Sequence, residues 1–157
     1  MAKFPTQVEI SVTVKVPIEK AHKYLWDVVG SSECIPGLAS CKKAGAGTYK
    51  FLYAARSTGP VTMSVQYTAR YETDGKSTIS FKGAGAKGDN TDVEGEIRLQ
   101  KSGDGTKITL RQMLAPDTPV PSLLQGLIRG FVNKEASAAA TEYLANVKKT
   151  LEAGKKA

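Results

Sequence analysis

The chain has 157 residues, 41% hydrophobic and 24% charged, an ordinary globular mix at a length that buries about 70% of the unfolded surface, so disorder, collagen and mini-protein scaffolds are excluded. With only Cys34 and Cys41, and no basic start followed by an apolar run, neither a disulfide framework nor a secretory signal is expected, and a cytoplasmic protein is. The net charge is +7, but the lysines are scattered from Lys3 to Lys156 and Arg56, Arg70, Arg98, Arg111 and Arg129 form no run, so no nucleic-acid partner is expected.

Residues 8 to 16 alternate Val8, Ile10, Val12, Val14 and Val16 with polar neighbours, predicting a strand with one buried face that Pro17 ends. Ala21, Leu25, Trp26 and Val29 follow helical spacing, with Pro17 suited to the first turn and Gly30 as the stop. Ser31 to Gly37 predicts a second short helix, capped by Ser31 or Ser32 and ended by Pro36-Gly37. From Thr48 the period returns to two for about 65 residues. Strands are predicted at 48–56, 61–71, 77–83, 92–101 and 106–114, with Asp74-Gly75 and Asp104-Gly105 as hairpin turns of an antiparallel meander. Tyr49, Phe51, Tyr53 and Ala55 share one face, as do Val61, Met63, Val65, Tyr67, Ala69 and Tyr71. The opposite face is polar, so one side meets water and the other needs a cover.

The cover is a helix from a Ser122 cap to about Glu152, roughly 45 Å long at 1.5 Å per residue. Its apolar stripe includes Leu123, Leu124, Leu127, Ile128, Phe131, Val132, Ala136, Ala139, Tyr143, Leu144, Val147 and Leu151, and Lys148 and Lys149 complement the dipole at its end. The predicted fold is therefore α+β: a curved antiparallel sheet of six to seven strands wrapped around a long C-terminal helix, with two short helices after the first strand, in one domain over residues 1–157. A helix about 10 Å across cannot fill a trough spanning about five gaps of 4.8 Å, which predicts a cavity beneath it. The sheet side of that cavity would be Phe51, Tyr53, Met63, Val65, Tyr67, Phe81, Ile97, Leu110 and Gln112, and the helix side Leu124, Leu127, Ile128, Phe131 and Glu135. Tyr67 and Gln112 are the foremost polar contacts, because a buried polar group needs a partner and can orient a guest.

Other motifs carry less. Residues 83 to 88 read G-x-G-x-x-G, but an alternating Val93, Gly95, Ile97, Leu99 run follows where a dinucleotide site needs a helix. A flexible sheet rim or a gate is the expectation there. Gly75-Lys76-Ser77 lacks the upstream glycine of a phosphate loop and reads as a hairpin turn. His22 is the only histidine, and the six residues between Cys34 and Cys41 exceed zinc-knuckle spacing, so no metal, cofactor or catalytic residue is expected. No run approaches the roughly 20 apolar residues of a spanning helix, so membrane contact is at most peripheral.

The element order resembles the helix-grip fold of the START/Bet v 1-like (SRPBCC) superfamily over nearly the whole chain. More narrowly it is similar to the G-subunit family of carbon monoxide dehydrogenase, in Val16-Pro17 leading into Leu25-Trp26-Asp27-Val28, in Cys34-Ile35-Pro36-Gly37, in Gly59-Pro60-Val61, in Gly83-Ala84-Gly85-Ala86-Lys87-Gly88 and in Gly103-Asp104-Gly105-Thr106. The resemblance implies a carrier of a lipid- or quinone-type small molecule, with a molybdenum hydroxylase as protein partner. Some relatives carry a membrane-directed C-terminal extension where this sequence reads Lys155-Lys156-Ala157. The expected function is non-enzymatic binding of a hydrophobic or amphipathic small molecule. The alternatives are an accessory or assembly protein of such a hydroxylase, or a polyketide cyclase-like or hydrolase enzyme using His22 and the inner tyrosines.

Overall fold

The computed structural model describes residues 2–58 and 61–154. Gly59 and Pro60, quoted above for the resemblance, lie outside the described residues, as do Lys155, Lys156 and Ala157. The strands are β1 (Ala2–Lys3), β2 (Thr6–Val14), β3 (Leu38–Gly45), β4 (Thr48–Tyr53), β5 (Arg56–Thr58), β6 (Val61–Met63), β7 (Gln66–Thr73), β8 (Thr78–Gly83), β9 (Thr91–Ser102) and β10 (Gly105–Thr118). The helices are α1 (Ile18–Trp26), α2 (Val28–Ser31) and α3 (Gln125–Gly154), with 3-10 turns at Ser32–Cys34 and Ser122–Leu124.

All pairings are antiparallel, and the main sheet runs β1-β10-β9-β8-β7-β4-β3. β2 pairs β10 beside β1, Thr6 facing Leu114 where Ala2 faces Thr118, so the two form one interrupted edge and the sheet is seven strands wide. The sheet, its long C-terminal helix and the short helices before β3 make a helix-grip arrangement. The inner face carries Phe51, Tyr67, Ala69, Ile79, Phe81, Val93, Ile97, Leu99, Ile108 and Leu110, all buried against Ala140, Leu144, Val147 and Leu151 of α3. Burying one side chain of this size is worth about 1.5–3 kcal/mol, so this face dominates what holds helix to sheet. Polar ties fix the C-terminal half of α3: Lys148 Nζ donates to the Thr13 carbonyl at 2.9 Å, the Lys15 amide donates to Glu152 Oε2 at 2.9 Å, and Asn146 Nδ2 donates to the Cys34 carbonyl at 3.0 Å.

Several boundaries differ from the sequence expectation. Strand β3 falls where none was predicted. The predicted strand 61–71 is two: β6 pairs only β5, and the chain breaks at Ser64-Val65 before β7. Asn90 occupies the break, donating from Nδ2 to the Ser64 carbonyl at 2.8 Å and accepting from the Gln66 amide at 2.9 Å, while the Val65 carbonyl accepts from the Tyr53 amide at 3.0 Å, so the backbone groups there stay satisfied. The first helix ends at Trp26 rather than near Gly30, because the Asp27 carboxylate accepts from the Gly30 amide at 3.1 Å and starts α2. The second short helix expected from Ser31 is the 3-10 turn Ser32–Cys34, where Ser31 stands at the cap position without a side-chain hydrogen bond to the turn. The β9–β10 loop is Gly103-Asp104, with Gly103 at φ +59°, since Gly105 already pairs with Ser102. Gly105 is needed for another reason: a Cβ there would collide with the Val14 carbonyl. Among the described residues no helix is long and apolar enough to cross a membrane.

Candidate functional site: the cavity under the C-terminal helix

Seven strands curve past α3, and the floor they present is aromatic. Phe51 stacks on Tyr67 with ring centroids 4.9 Å apart, and Tyr71 on Phe81 at 5.3 Å. Tyr49 meets Tyr71 edge to face at 5.7 Å. These rings come from adjacent strands, since Phe51 faces Tyr67 across β4–β7 and Tyr71 faces Phe81 across β7–β8. Together they fill part of the trough, and two adjacent compartments that share wall residues remain under α3.

The outer compartment holds about 160 Å³ and lies between Thr6, Met63, Val65, Thr91 and Leu114 of the sheet side and Phe131, Val132, Glu135, Ala136 and Ala139 of α3, with Pro36, Gly37, Tyr53 and Ala54 at its rim. The inner compartment holds about 110 Å³ and is bounded by Tyr53, Tyr67, Tyr71, Phe81, Ile97, Leu110 and Gln112, by Ile35 and Pro36, and by Ala136, Ala139, Ala140 and Tyr143. Pro36, Tyr53, Leu114, Ala136 and Ala139 belong to both. Small side chains on α3 keep the hollow open: Ala136, Ala139 and Ala140 face the floor where larger residues would close the gap.

The polar groups in this apolar space are few. The Tyr53 and Tyr67 hydroxyls lie 3.2 Å apart, and either can donate to the other. Gln112, Tyr71 and Tyr143 make no side-chain hydrogen bond to any described residue, so their donors and acceptors are available to a guest. Burial pushes the phenols of Tyr53, Tyr67, Tyr71 and Tyr143 above the ordinary value of 10.0. They are therefore neutral hydrogen-bond donors at physiological pH, suited to holding a carbonyl, enol or phenol oxygen.

Of the residues expected to line a cavity, Tyr53, Met63, Val65, Phe131 and Glu135 meet at the outer compartment, and Tyr67, Phe81, Ile97, Leu110 and Gln112 at the inner one. The other four sit elsewhere. Phe51, 1% exposed, lies in the floor behind Tyr67. Ile128 and Leu124 pack with Phe4, Val61 and Met63 in a second cluster at the N-terminal end of α3. Leu127 is 68% exposed and points to solvent. The sequence reading missed Ile35, Pro36, Gly37 and Tyr143; the apolar Ile-Pro-Gly run between two elements was the available signal for the first three. His22 is outside the cavity, its Nε2 2.8 Å from Thr73 Oγ1. Because the Thr73 hydroxyl donates to the Thr78 carbonyl at 2.6 Å, Nε2 is the donor to it. The glycine-rich 83–88 segment borders neither compartment. It folds against the outer side, where Asp89 Oδ2 accepts from the Thr68 and Ala86 amides, so it is not the gate envisaged for it.

The family described as polyketide cyclase / dehydrase and lipid transport matches residues 5–152. No curated protein matches in sequence. Among solved structures, TTHA0849 from Thermus thermophilus is similar with TM-score 0.72 at 18% identity, covering 94% of this chain and 98% of its own. A STAR-related lipid transfer protein fragment from Xanthomonas axonopodis gives TM-score 0.67 at 18% identity, over 92% of this chain and 85% of that one. The di-domain ARO/CYC StfQ of the steffimycin biosynthetic pathway gives 0.65 at 18% identity, over 98% of this chain and 53% of that one. These likenesses carry the fold. The family's description takes in cyclases and dehydrases as well as lipid transport, and this overturns the expectation that the chain is no enzyme.

Proposed function

From the premise that the chain belongs to the polyketide cyclase / dehydrase and lipid transport family, which supports a hydrophobic ligand-binding role, we propose that its two-compartment cavity takes one small, largely apolar guest carrying an oxygen function at one end. The carbon skeleton would occupy the outer compartment and the oxygen the inner one, near Gln112, Tyr71 and Tyr143. One observation carries the reading: an apolar hollow under α3 whose inner end holds polar groups with no partner among the described residues. Such a site gains its affinity from area and its orientation from those few groups. At roughly 25 cal/mol per Å², a guest burying about 300 Å² gains about 7 kcal/mol before ordering costs, which sets micromolar affinity as the upper range.

Neutral phenols clustered around one oxygen also supply what a cyclisation or dehydration needs, hydrogen bonds that strengthen as negative charge develops on a carbonyl oxygen. Carrier and catalyst thus share one geometry, and turnover separates them. The finer placement beside the G-subunit family of carbon monoxide dehydrogenase, with a molybdenum hydroxylase as partner, rests on the Ile35-Pro36-Gly37 element, now seen at the cavity wall. A single ligand-binding domain in the cytoplasm, where Cys34 and Cys41 stay free, completes the proposal.

The test is binding of the neutral fluorophore N-phenyl-1-naphthylamine to the wild-type protein and to Ala139→Leu, which adds bulk to the wall common to both compartments. Saturable binding that falls at least tenfold in A139L, with unfolding unchanged within about 1.5 kcal/mol, supports the proposal. Absence of saturable binding, or equal binding by both proteins, overturns it.

A further inference from the structure

Three elements place the boundary between the two compartments at the same level. Along β10, Gln112 lines only the inner compartment, Leu114 lines both and Pro116 only the outer one. Along α3, Glu135 lines only the outer compartment, Ala136 and Ala139 both, and Ala140 only the inner one. At the end of β4, Tyr53 lines both, while its neighbour Ala54 borders only the outer one.

The bulk at this boundary comes from the sheet. Ala136 and Ala139 contribute a methyl each, whereas Leu114 and Tyr53 bring long side chains from strands with β9, β8 and β7 between them, so the two approach from opposite flanks of the trough. Tyr53 crosses the boundary lengthwise. Its root is fixed beside the outer compartment, where its amide donates to the Val65 carbonyl at 3.0 Å and the Ala54 amide donates to the Gly37 carbonyl at 3.0 Å. Its hydroxyl lies 3.2 Å from that of Tyr67, which lines only the inner compartment. The ring between these two ends stands in the passage, and a packed interior holds it there in one rotamer.

We infer that Tyr53 is the specificity-determining residue of the cavity: with Leu114 it forms a neck that passes only a slender part of the guest. The inference rests on the cavity reading above and narrows it to an elongated molecule, whose oxygenated end in the inner compartment and apolar body in the outer one are joined by an unbranched link. Gln112 and Pro116 are four residues apart, about 13 Å along the strand, which suits an oxygenated ring bearing a short straight chain. A compact molecule with a quaternary carbon at its middle is rejected, because pressing extra atoms against a packed wall costs more than their burial returns.

The experiment is displacement of N-phenyl-1-naphthylamine by two isomers, para-n-butylphenol and para-tert-butylphenol, which share the hydroxyl and nearly the same apolar area and differ in width next to the ring. The wild type should prefer the straight isomer about tenfold. Tyr53→Phe keeps the ring and should keep the preference, whereas Tyr53→Leu removes the ring and should bring the isomers within about twofold of each other. A merely structural role for Tyr53 would weaken both isomers alike and leave their ratio as it was, which overturns the inference. Should Tyr53→Leu lack a cooperative unfolding transition, Leu114→Val widens the same neck from the other flank: its ratio should fall, and an unchanged ratio overturns the inference equally. A wild type that binds the fluorophore but releases it to both isomers alike, or to neither, refutes the neck and leaves the cavity reading standing. Absence of saturable fluorophore binding removes the cavity reading and the neck with it.

Discussion

The Tyr53 hydroxyl lies 3.2 Å from that of Tyr67, across two strands that reach the cavity floor from opposite sides of the Ser64-Val65 break. Tyr67 is 4% exposed, and its hydroxyl has no other partner among the described residues. The bond therefore matters less for its own strength than for what its loss leaves behind. Tyr53→Phe strands a buried hydroxyl and should cost about 1–2 kcal/mol, as should Tyr67→Phe. The double variant leaves nothing unsatisfied, so its loss should be clearly smaller than the two single losses added. Urea unfolding of the four proteins closes the cycle; strictly additive losses would show that the hydroxyls do not depend on one another.

Alkaline stability should follow the same phenols. Burial raises Tyr53, Tyr67, Tyr71 and Tyr143 above 10.0, so the folded protein holds protons that the unfolded chain releases. The stability linked to the neutral phenols is complete below pH 10 and declines as pH climbs from there through the raised folded values. The unfolding midpoint should stay level from neutral pH to near 10 and drop beyond it. Phenolate absorbance should rise in a step that coincides with loss of structure. A gradual rise in the still-folded protein would show these phenols to be open to water.

What the sequence made legible is what local periodicity controls. The alternation through Tyr49-Phe51-Tyr53 and Tyr67-Ala69-Tyr71 named the inner face because strand side chains alternate whatever the tertiary context. The Ser64 break was invisible because Asn90, distant in sequence, creates it. β3 was missed because Cys41-Lys42-Lys43-Ala44 has no sustained alternation. From the 3-10 turn into α3, Leu124-Ile128 and Leu123-Leu127 are adjacent pairs of equal spacing. Only the docked helix shows that the first is covered and the second bare. Phe51 packs in the floor and does not line the hollow, because trough width ignores how far stacked rings such as Phe51 and Tyr67 fill it.

The turn between β7 and β8 depends on one carboxylate. Asp74 Oδ1 accepts from the amides of Lys76 at 2.8 Å, Ser77 at 2.9 Å and Thr78 at 3.0 Å, and Oδ2 accepts from the Ser77 hydroxyl at 3.2 Å. These donors hold the carboxyl well below its ordinary value of 3.8. A lowered folded value means stability that is present above about pH 4 and disappears as pH falls below it. Asp74→Ala should lower the melting temperature at neutral pH, and the gap from wild type should shrink under acid. Asp74→Asn keeps an acceptor without the charge and should fall between them. An unchanging gap down to acid pH would mean the carboxylate's charge contributes nothing to the turn.

Gly95 connects the sheet's geometry to the cavity. It sits on β9 between Phe81 of β8 and the Gln112 position of β10, and a Cβ there would overlap the Arg111 carbonyl and come within 2.7 Å of Phe81 Cζ. The backbone carbonyl cannot yield, but the Phe81 ring can, and the space it would enter is the inner compartment it borders. Gly95→Ala should therefore destabilise the protein by about 1–3 kcal/mol and weaken N-phenyl-1-naphthylamine binding as the ring fills the guest's place. Phe81→Leu in the same protein removes the ring edge and should restore part of the binding, while the strain at Arg111 persists. If G95A lost stability but bound the probe as well as the wild type, the inner compartment would not be where the guest lies.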